Sequence, residues 1–451
     1  MTATSPYYRR HSLFGPIVIL AIGVVALLTN LHVFRGREVF LWFSRFWPLL
    51  LILWGLVKFG EYHWARRRNE PYAGIGSGGV IFLFFLIIFG MGATGATHVN
   101  WNWVDLDSDP DWGWGIFGTR YDFTESFATP MPTGREVRIL SAHGDITITP
   151  SQDDQAHVFV HKYVRGNSQD EANQFNATTH PKFEQQGTVW LLDVTGGSFA
   201  QGRFNLEIQV PSTYSVSLLD RHGDIRVSQM QGDVDLETNH GDITVEQIKG
   251  NALLHSHSGD VTAKGISGNV NVDGHADDTT FSDIGGTLTL NGTYTGDLDV
   301  SHVAGQVKFT SSRTDLQIAK VDGQLTMDGS DLKANSVAGP FTLRTEAKDI
   351  QLDNVSGNVH IDDRRGDIEL EPGTPLGNVE VSTTGGEISI KLPETPGFQV
   401  DAESDGGEIQ SDFSLNINND RRTATATGSI GKGGPQIKLK TDRGTIQIKK
   451  D

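Results

Sequence analysis

Apolar and polar residues alternate in short runs through most of the chain, the period of a strand with one face buried. Beyond residue 220 the runs repeat with a step of nine: Gly223-Asp-Ile-Arg-Val, Gly232-Asp-Val-Asp-Leu, Gly241-Asp-Ile-Thr-Val, Gly250-Asn-Ala-Leu-Leu, Gly259-Asp-Val-Thr-Ala and Gly268-Asn-Val-Asn-Val. Gly with Asp or Asn supplies a turn, and the alternating residues after it supply a strand. Every second unit carries a third apolar residue before the next glycine, at Met230, Ile248, Ile266, Ile284, Val303, Val321, Val337 and Val355. The larger repeat is therefore two strands in about 18 residues. A turn aspartate marks it at Asp224, Asp242, Asp260, Asp278, Asp297, Asp315, Asp331, Asp349 and Asp367, spaced 18, 18, 18, 19, 18, 16, 18 and 18.

One such coil cannot bury its own apolar face, so coils must stack, each strand pairing with its equivalent one coil later. The pattern predicts an all-β protein: a parallel β-solenoid of two-strand coils. Ile225/Val227, Ile243/Val245 and Leu298/Val300 would line one wall, and Val234/Leu236, Val270/Val272 and Leu288/Leu290 the other. The regular solenoid spans 216–392. Residues 134–215 should form an N-terminal cap with strands at Glu136–Leu140, Val158–Val164, Val189–Val194 and Phe204–Val210 and a short helix at 169–176. Residues 393–451 supply further coils and a C-terminal cap, because open sheet ends invite edge-to-edge pairing. Loss of glycine at Asp277-Asp-Thr-Thr-Phe and a shortened spacing near Ser330 predict distorted coils there.

Residues 1–97 read differently, as an α-helical membrane region of three spans at about 13–31, 39–59 and 76–96, since about 20 apolar residues cross the hydrocarbon core. Arg45 and Lys58 sit near the ends of the second span, where long basic side chains reach the interface. Arg9, Arg10 and Arg66–Arg68 outweigh the basic residues on the opposite side, placing the amino terminus inside and everything after the third span outside the cytoplasmic membrane. Residues 98–133 form a linker rich in Trp and Asp. Its Asp105, Asp107, Asp109 and Asp111 have the spacing of a calcium loop, but Pro110 and Ile116 stand where such a loop needs Gly and Glu.

Charge divides the chain in the same place. Residues 1–96 carry 9 Lys+Arg and 3 Asp+Glu, whereas the remainder carries 28 and 52. An acidic domain repels the phosphate backbone, which argues against nucleic acid as a partner. The chain has no cysteine, which excludes disulfides and thiolate chemistry.

Gly15-Pro-Ile-Val-Ile-Leu-Ala-Ile-Gly23, Leu27-Leu-Thr-Asn-Leu31 and Phe46-Trp-Pro-Leu-Leu-Leu-Ile-Leu-Trp-Gly55 resemble the two-helix module of the Lia-type envelope-stress membrane proteins of bacteria. Asn205-Leu-Glu-Ile-Gln-Val-Pro-Ser, the serial Gly-Asp units, Lys391-Leu-Pro, Gly406-Gly-Glu-Ile and the closing Gly431-Lys-Gly-Gly-Pro with Arg443-Gly-Thr-Ile-Gln-Ile resemble the bacterial "putative adhesin" β-solenoid family, a domain of unknown function, over residues 135–450. This resemblance implies the solenoid fold and brings no catalytic residues with it.

His222, His240, His255 and His257 fall near coil corners beside the aspartates and are the candidate metal ligands, imidazole and carboxylate being suitable donors. Against that stands a simpler reading, favoured here: an exposed, repeated corner accepts any polar residue. The aspartate column likewise reads as structural rather than catalytic, because general acid–base work needs two carboxylates with separate roles. No cofactor is expected. The expected function is non-enzymatic: an envelope protein presenting an acidic solenoid outside the cytoplasmic membrane as a scaffold, adhesive surface or envelope-stress partner. Its partners would be the lipid bilayer and either another envelope protein or a second copy. The alternative is a carbohydrate-active enzyme, a lyase or hydrolase, on the solenoid flank.

Overall fold

The computed structural model describes residues 119–451 except 132–134, 142, 196–201, 396 and 421, together with 46–49, 51–52, 55, 59, 63 and 84. Two compact units divide the chain, one of Met1–Arg120 with Arg165–Glu171 and the other of Tyr121–Val164 with Ala172–Asp451. The expected spans, and the cluster Asp105–Asp111, lie outside the described residues apart from those ten positions. Among the described residues no helix is long and apolar enough to cross a membrane.

The described part of residues 119–451 is built of strands with one short helix, Gln169–Thr178, beginning where the sequence predicts it. One wall stacks Glu136–Leu140, Ser215–His222, Val234–His240, Ala252–Ser256, Val270–Ala276, Leu288–Tyr294 and Val307–Thr310 in parallel register. The other stacks Ile146–Pro150, Ile225–Ser228, Ile243–Ile248, Val261–Ile266, Thr279–Ile284 and Leu298–Val303. Equivalent side chains form continuous columns: Val227, Val245, Ala263, Phe281 and Val300 follow one another in register and are all buried. The coil at Asp277–Phe281 keeps this register despite its missing glycine, because Thr279 takes the inward place opposite Val261 and is buried there.

In all of these coils but that of Val321, the third apolar residue reaches the core through a local backbone device. In Ile243-Thr-Val-Glu-Gln-Ile the strand buries Ile243 and Val245, exposes both Glu246 and Gln247, and buries Ile248. Strict alternation would point Ile248 outward. Gln247 has φ 57°, and Gln229, Gly265, Asp283, His302, Ser336 and Asn354 hold the same left-handed conformation in their coils. Each precedes one of the third apolar residues and flips it inward, the effect of a bulge on strand direction.

Winding is not uniformly parallel, which corrects the expectation of a continuous parallel solenoid. A turn at Ser311–Thr314 sends the strand Asp315–Met327 back along both walls, antiparallel to Leu298–Val303, to Val307–Thr310 and to the following Asp331–Thr345. A second turn at Asp328–Asp331 restores the original direction, and parallel pairing resumes between Asp331–Thr345 and Asp349–Arg365. The reversal is invisible to apolar periodicity, since Leu316, Ile318, Val321 and Leu325 face the core whichever way the strand runs. The short spacing at Ser330 is this hairpin.

Both ends close by insertion. At the amino-terminal end, the coil of Glu136–Leu140 and Ile146–Pro150 lies between Ser215–Ser228 and a later coil of Val189–Asp193 and Gly202–Val210. Antiparallel strands Lys182–Gln186 and Gln155–Gly166 then cover the exposed edges. At the other end, Gln436–Thr441 and Ile446–Lys450 slot between the coil ending at Leu392 and the earlier-made coil of Phe398–Ser404 and Ile409–Ser411. Ala424–Ile430 runs antiparallel against Phe398–Ser404 and Asn416–Asn419.

The strand Thr119–Pro130 joins this framework beside Gln155–Gly166. Lys162 is fully buried, and its ammonium meets the Glu125 carboxylate at 2.7 Å while donating to Thr179 O at 2.7 Å and Asn176 Oδ1 at 3.2 Å. A buried lysine needs such saturation.

Candidate functional site

The corner glycines set the geometry of the aspartate column. Gly223 and Gly241 have φ of 146° and 131°, and a Cβ on either would stand 2.2 Å from the carbonyl oxygen of the preceding corner glycine. At these two corners a side chain would force the coils apart, so glycine permits the close approach there. The next residue in each corner then offers its carboxylate upward to the following coil. Asp145 Oδ1 accepts from Asp224 N–H at 3.1 Å, Asp224 from Asp242 at 3.1 Å, Asp242 from Asp260 at 2.9 Å, Asp260 from Asp278 at 3.0 Å and Asp278 from Asp297 at 2.9 Å.

The column then breaks. Asp315 opens the reversed strand opposite Thr310 and Arg344, and Asp331 donates its N–H to Asp328 inside the second hairpin. Beyond the reversal it resumes, with Asp349 accepting from Asp367 at 3.0 Å and Asp367 from Glu387 at 2.8 Å. Two further columns of the same construction escape a search for aspartate alone. Asp233, Asn251, Asn269 and Thr287 link at 2.8, 2.9 and 2.9 Å, and Asn358, Asn378 and Gln436 at 3.0 and 2.9 Å. Their signal was the Gly-Asn variant of the corner.

The arrangement is one-dimensional, with the charges of a column spread along the axis instead of converging. Burial raises the Asp242 carboxyl above its ordinary range, the neighbouring Asp224 and Asp260 add to the rise, and the Asp260 N–H opposes it. Asp145, Asp224, Asp242, Asp260, Asp278, Asp349 and Asp367 thus each have one oxygen committed to coil-to-coil hydrogen bonding.

Residues 135–449, well over half the chain, match the family model described as Toastrack DUF4097. The chain belongs to the Toastrack family. Ahead of the Toastrack domain, residues 14–105 match the LiaF transmembrane domain. Among solved structures, a "putative cell adhesion protein" of Clostridium sporogenes ATCC 15579 is 10% identical, with 73% of this chain and 100% of that chain covered and a TM-score of 0.18. A "putative adhesin" of Bacteroides fragilis NCTC 9343 is 12% identical, covering 73% and 97%, at TM-score 0.21. A "putative lipid binding protein" of Parabacteroides distasonis ATCC 8503 is 12% identical, covering 72% and 96%, at TM-score 0.20. No curated protein matches the chain.

In the Toastrack domain two of the four candidate histidines, His222 and His240, stack on each other. The His222 and His240 rings lie 4.9 Å apart, and His143, which precedes the repeat, extends the stack at 5.6 Å from His222. His255 sits 4.0 Å from Asp273, and His257 Nδ1 faces Thr238 O at 3.4 Å, so these two stand apart from the stack. Among the described residues no group of three or more His, Asp or Glu is placed to hold a metal ion.

A set of buried polar residues runs inside the same corners. Asp220, Thr238 and Ser256 stand in register, with Ser141 following the partner of Leu219. In the second half Thr345, Asp363, Thr383, Thr441 and Ser404 form the equivalent column. All nine are buried. In sequence they read as ordinary polar turn residues, and only the stacking shows that they face inward.

Proposed function

We propose that this protein is a non-enzymatic envelope component: a membrane anchor carrying a rigid acidic Toastrack domain outside the cytoplasmic membrane, where it serves as a scaffold or docking partner in envelope-stress signalling. The observation that carries this reading is the join of a LiaF transmembrane match at 14–105 to a Toastrack match at 135–449. The serial use of the corner carboxylates supports it, because a hydrogen-bonded column offers no separated acid and base. The three spans and their orientation belong to the same proposal and rest on the basic residues flanking them.

Cysteine accessibility tests it. Ala304→Cys, at an exposed corner, should react with a membrane-impermeant thiol reagent in intact cells or spheroplasts, while Asn69→Cys should react only after lysis. The reverse pattern would overturn the orientation. The enzymatic alternative requires glycan cleavage that a single replacement among Asp224→Asn, Asp242→Asn, Asp260→Asn and Asp367→Asn abolishes while the others retain it; that outcome would replace the scaffold reading.

A further inference from the structure

Hydroxyls of the inward corner column donate in some coils and accept in others, and Ser404 does both. Ser404 Oγ donates to Gly444 O at 2.8 Å and accepts from Gly407 N–H at 3.0 Å. Thr441 Oγ1 donates to Gly386 O at 3.2 Å, Thr238 Oγ1 donates to His240 O at 3.3 Å, and Thr383 Oγ1 accepts from Gly385 N–H at 3.3 Å. A hydroxyl meets both demands, whereas an ionised carboxylate only accepts.

Two coils place aspartate at this position, in Asp220-Arg-His-Gly and Asp363-Arg-Arg-Gly. Asp220 is wholly buried and Asp363 is 1% exposed, and none of their four carboxylate oxygens has a hydrogen-bond partner in good geometry. The hydroxyls of Ser141, beside Asp220, and of Ser256 in the same column likewise lack a partner in good geometry. An unpaired buried polar atom is costly, and an unpaired buried charge more so. The groups facing Asp220 are Ser141, the Arg221 N–H, Asp145 and Arg203; those facing Asp363 are the N–H groups of Arg364, Arg365 and Lys348, together with Asp349 and the Lys348 ammonium. The Lys348 ammonium is held by Asp328 O instead of forming an ion pair with Asp363.

We propose that Asp220 and Asp363 are proton-operated latches of the Toastrack stack: protonated, each supplies the corner donor that Ser or Thr supplies in other coils, and ionised, each leaves a buried charge that loosens its corner. Burial pushes the Asp220 carboxyl up to about 7, with Asp145 adding to the rise against Ser141, the Arg221 N–H and Arg203. Burial likewise pushes Asp363 up to about 6, with Asp349 adding to the rise against the surrounding N–H groups. Both folded values lie above the unfolded value of about 3.9, so the folded state holds these protons where the unfolded chain has released them. Their contribution to stability therefore falls as pH rises from about 4, until it levels off above the folded values. The domain is firmest in mildly acidic surroundings and loosens at these two corners near and above neutrality. The latch adds a response to external pH that a scaffolding role does not require.

Hydrogen–deuterium exchange of the full chain in lipid nanodiscs, at about pH 5.5 and about pH 8 and corrected for intrinsic rates, reads the latches directly. Peptides covering 219–224 and 362–367 should lose protection on the order of tenfold at the higher pH. The peptide covering 439–444, whose corner is held by Thr441, should not change. In the double variant Asp220→Thr, Asp363→Thr the two corners should stay protected at both values. Equal wild-type protection at the two pH values would overturn the proposal without any variant, as would a pH response that survives in the double variant.

Discussion

At the residue scale, the corner glycines and the left-handed bulge residues make opposite demands on side chains. Gly241→Ala places a Cβ 2.2 Å from a neighbouring carbonyl oxygen at φ 131°, so the coils must part locally. The expected loss is about 2–3 kcal/mol, read as a lower denaturant midpoint at unchanged slope. Gln247→Gly acts the other way. A left-handed non-glycine residue costs about 1–2 kcal/mol, of which roughly half returns as lost unfolded-state freedom when glycine replaces it, leaving a gain of up to about 1 kcal/mol. A destabilised Gln247→Gly protein would show that the side chain contributes contacts outweighing its strain. The corner glycines and aspartates were legible in the sequence because their spacing repeats. The bulges were legible mainly through their consequence, the third apolar residue, since Gln and Ser do not favour a positive φ and the tolerance of Asn, Asp and His for it is too weak to mark a position.

Elements show where periodicity stops being informative. A strand has the same alternation read forwards or backwards, so Asp315–Met327 fits an 18-residue parallel repeat on paper and runs antiparallel in the molecule. The signal lay in the connections, Ser311-Ser-Arg-Thr314 and Asp328-Gly-Ser-Asp331, which replace Gly-Asp corners with hairpin turns. Asp145 and His143 were missed for a related reason: they belong to the same columns by stacking but precede the regular repeat by some 60 residues or more of inserted chain. The strand Thr119–Pro130 makes an element-scale prediction. Glu125→Gln removes the charge facing buried Lys162, and should cost about 3 kcal/mol and release this strand to proteolysis before the rest unfolds. Burial raises the Glu125 carboxyl, but hydrogen bonds and charge from Lys162 and His180 outweigh that and hold it below its ordinary range. Its stabilisation is therefore present above the unfolded value near 4.3 and fades as pH falls through the lower folded value. Lys162 remaining silent to this substitution, with unchanged melting and cleavage, would refute the clamp.

For the molecule as a whole, closure by insertion means that the first and last coils in sequence, 136–150 and 436–450, do not lie at the ends of the stack. Removing residues 436–451 does not shorten the stack. It empties a slot flanked by Ile368–Leu392 on one side and Phe398–Ser411 on the other. Residues 393–435 should then become protease-sensitive together, with a lowered melting temperature, while the stack of 215–310 stays resistant. Continued protection of 393–435 would mean that the emptied slot refills and that the inserted coil is dispensable. Because solenoid stability is a sum of neighbour interfaces, losing an internal coil removes two interfaces where losing a terminal one removes a single interface.

The same inserted coil sets an order of events for a chain that emerges amino terminus first. Phe398–Ser411 and its antiparallel cover are made and delivered before the strands that must lie beneath them. Until 436–450 arrive, the second stack has an apolar gap lined by Ile388, Ile390, Val400 and Ile409. Its completion therefore waits for residues 436–450 to be made, so a chain stalled short of residue 436 is marked by an exposed apolar surface that a finished one has sealed.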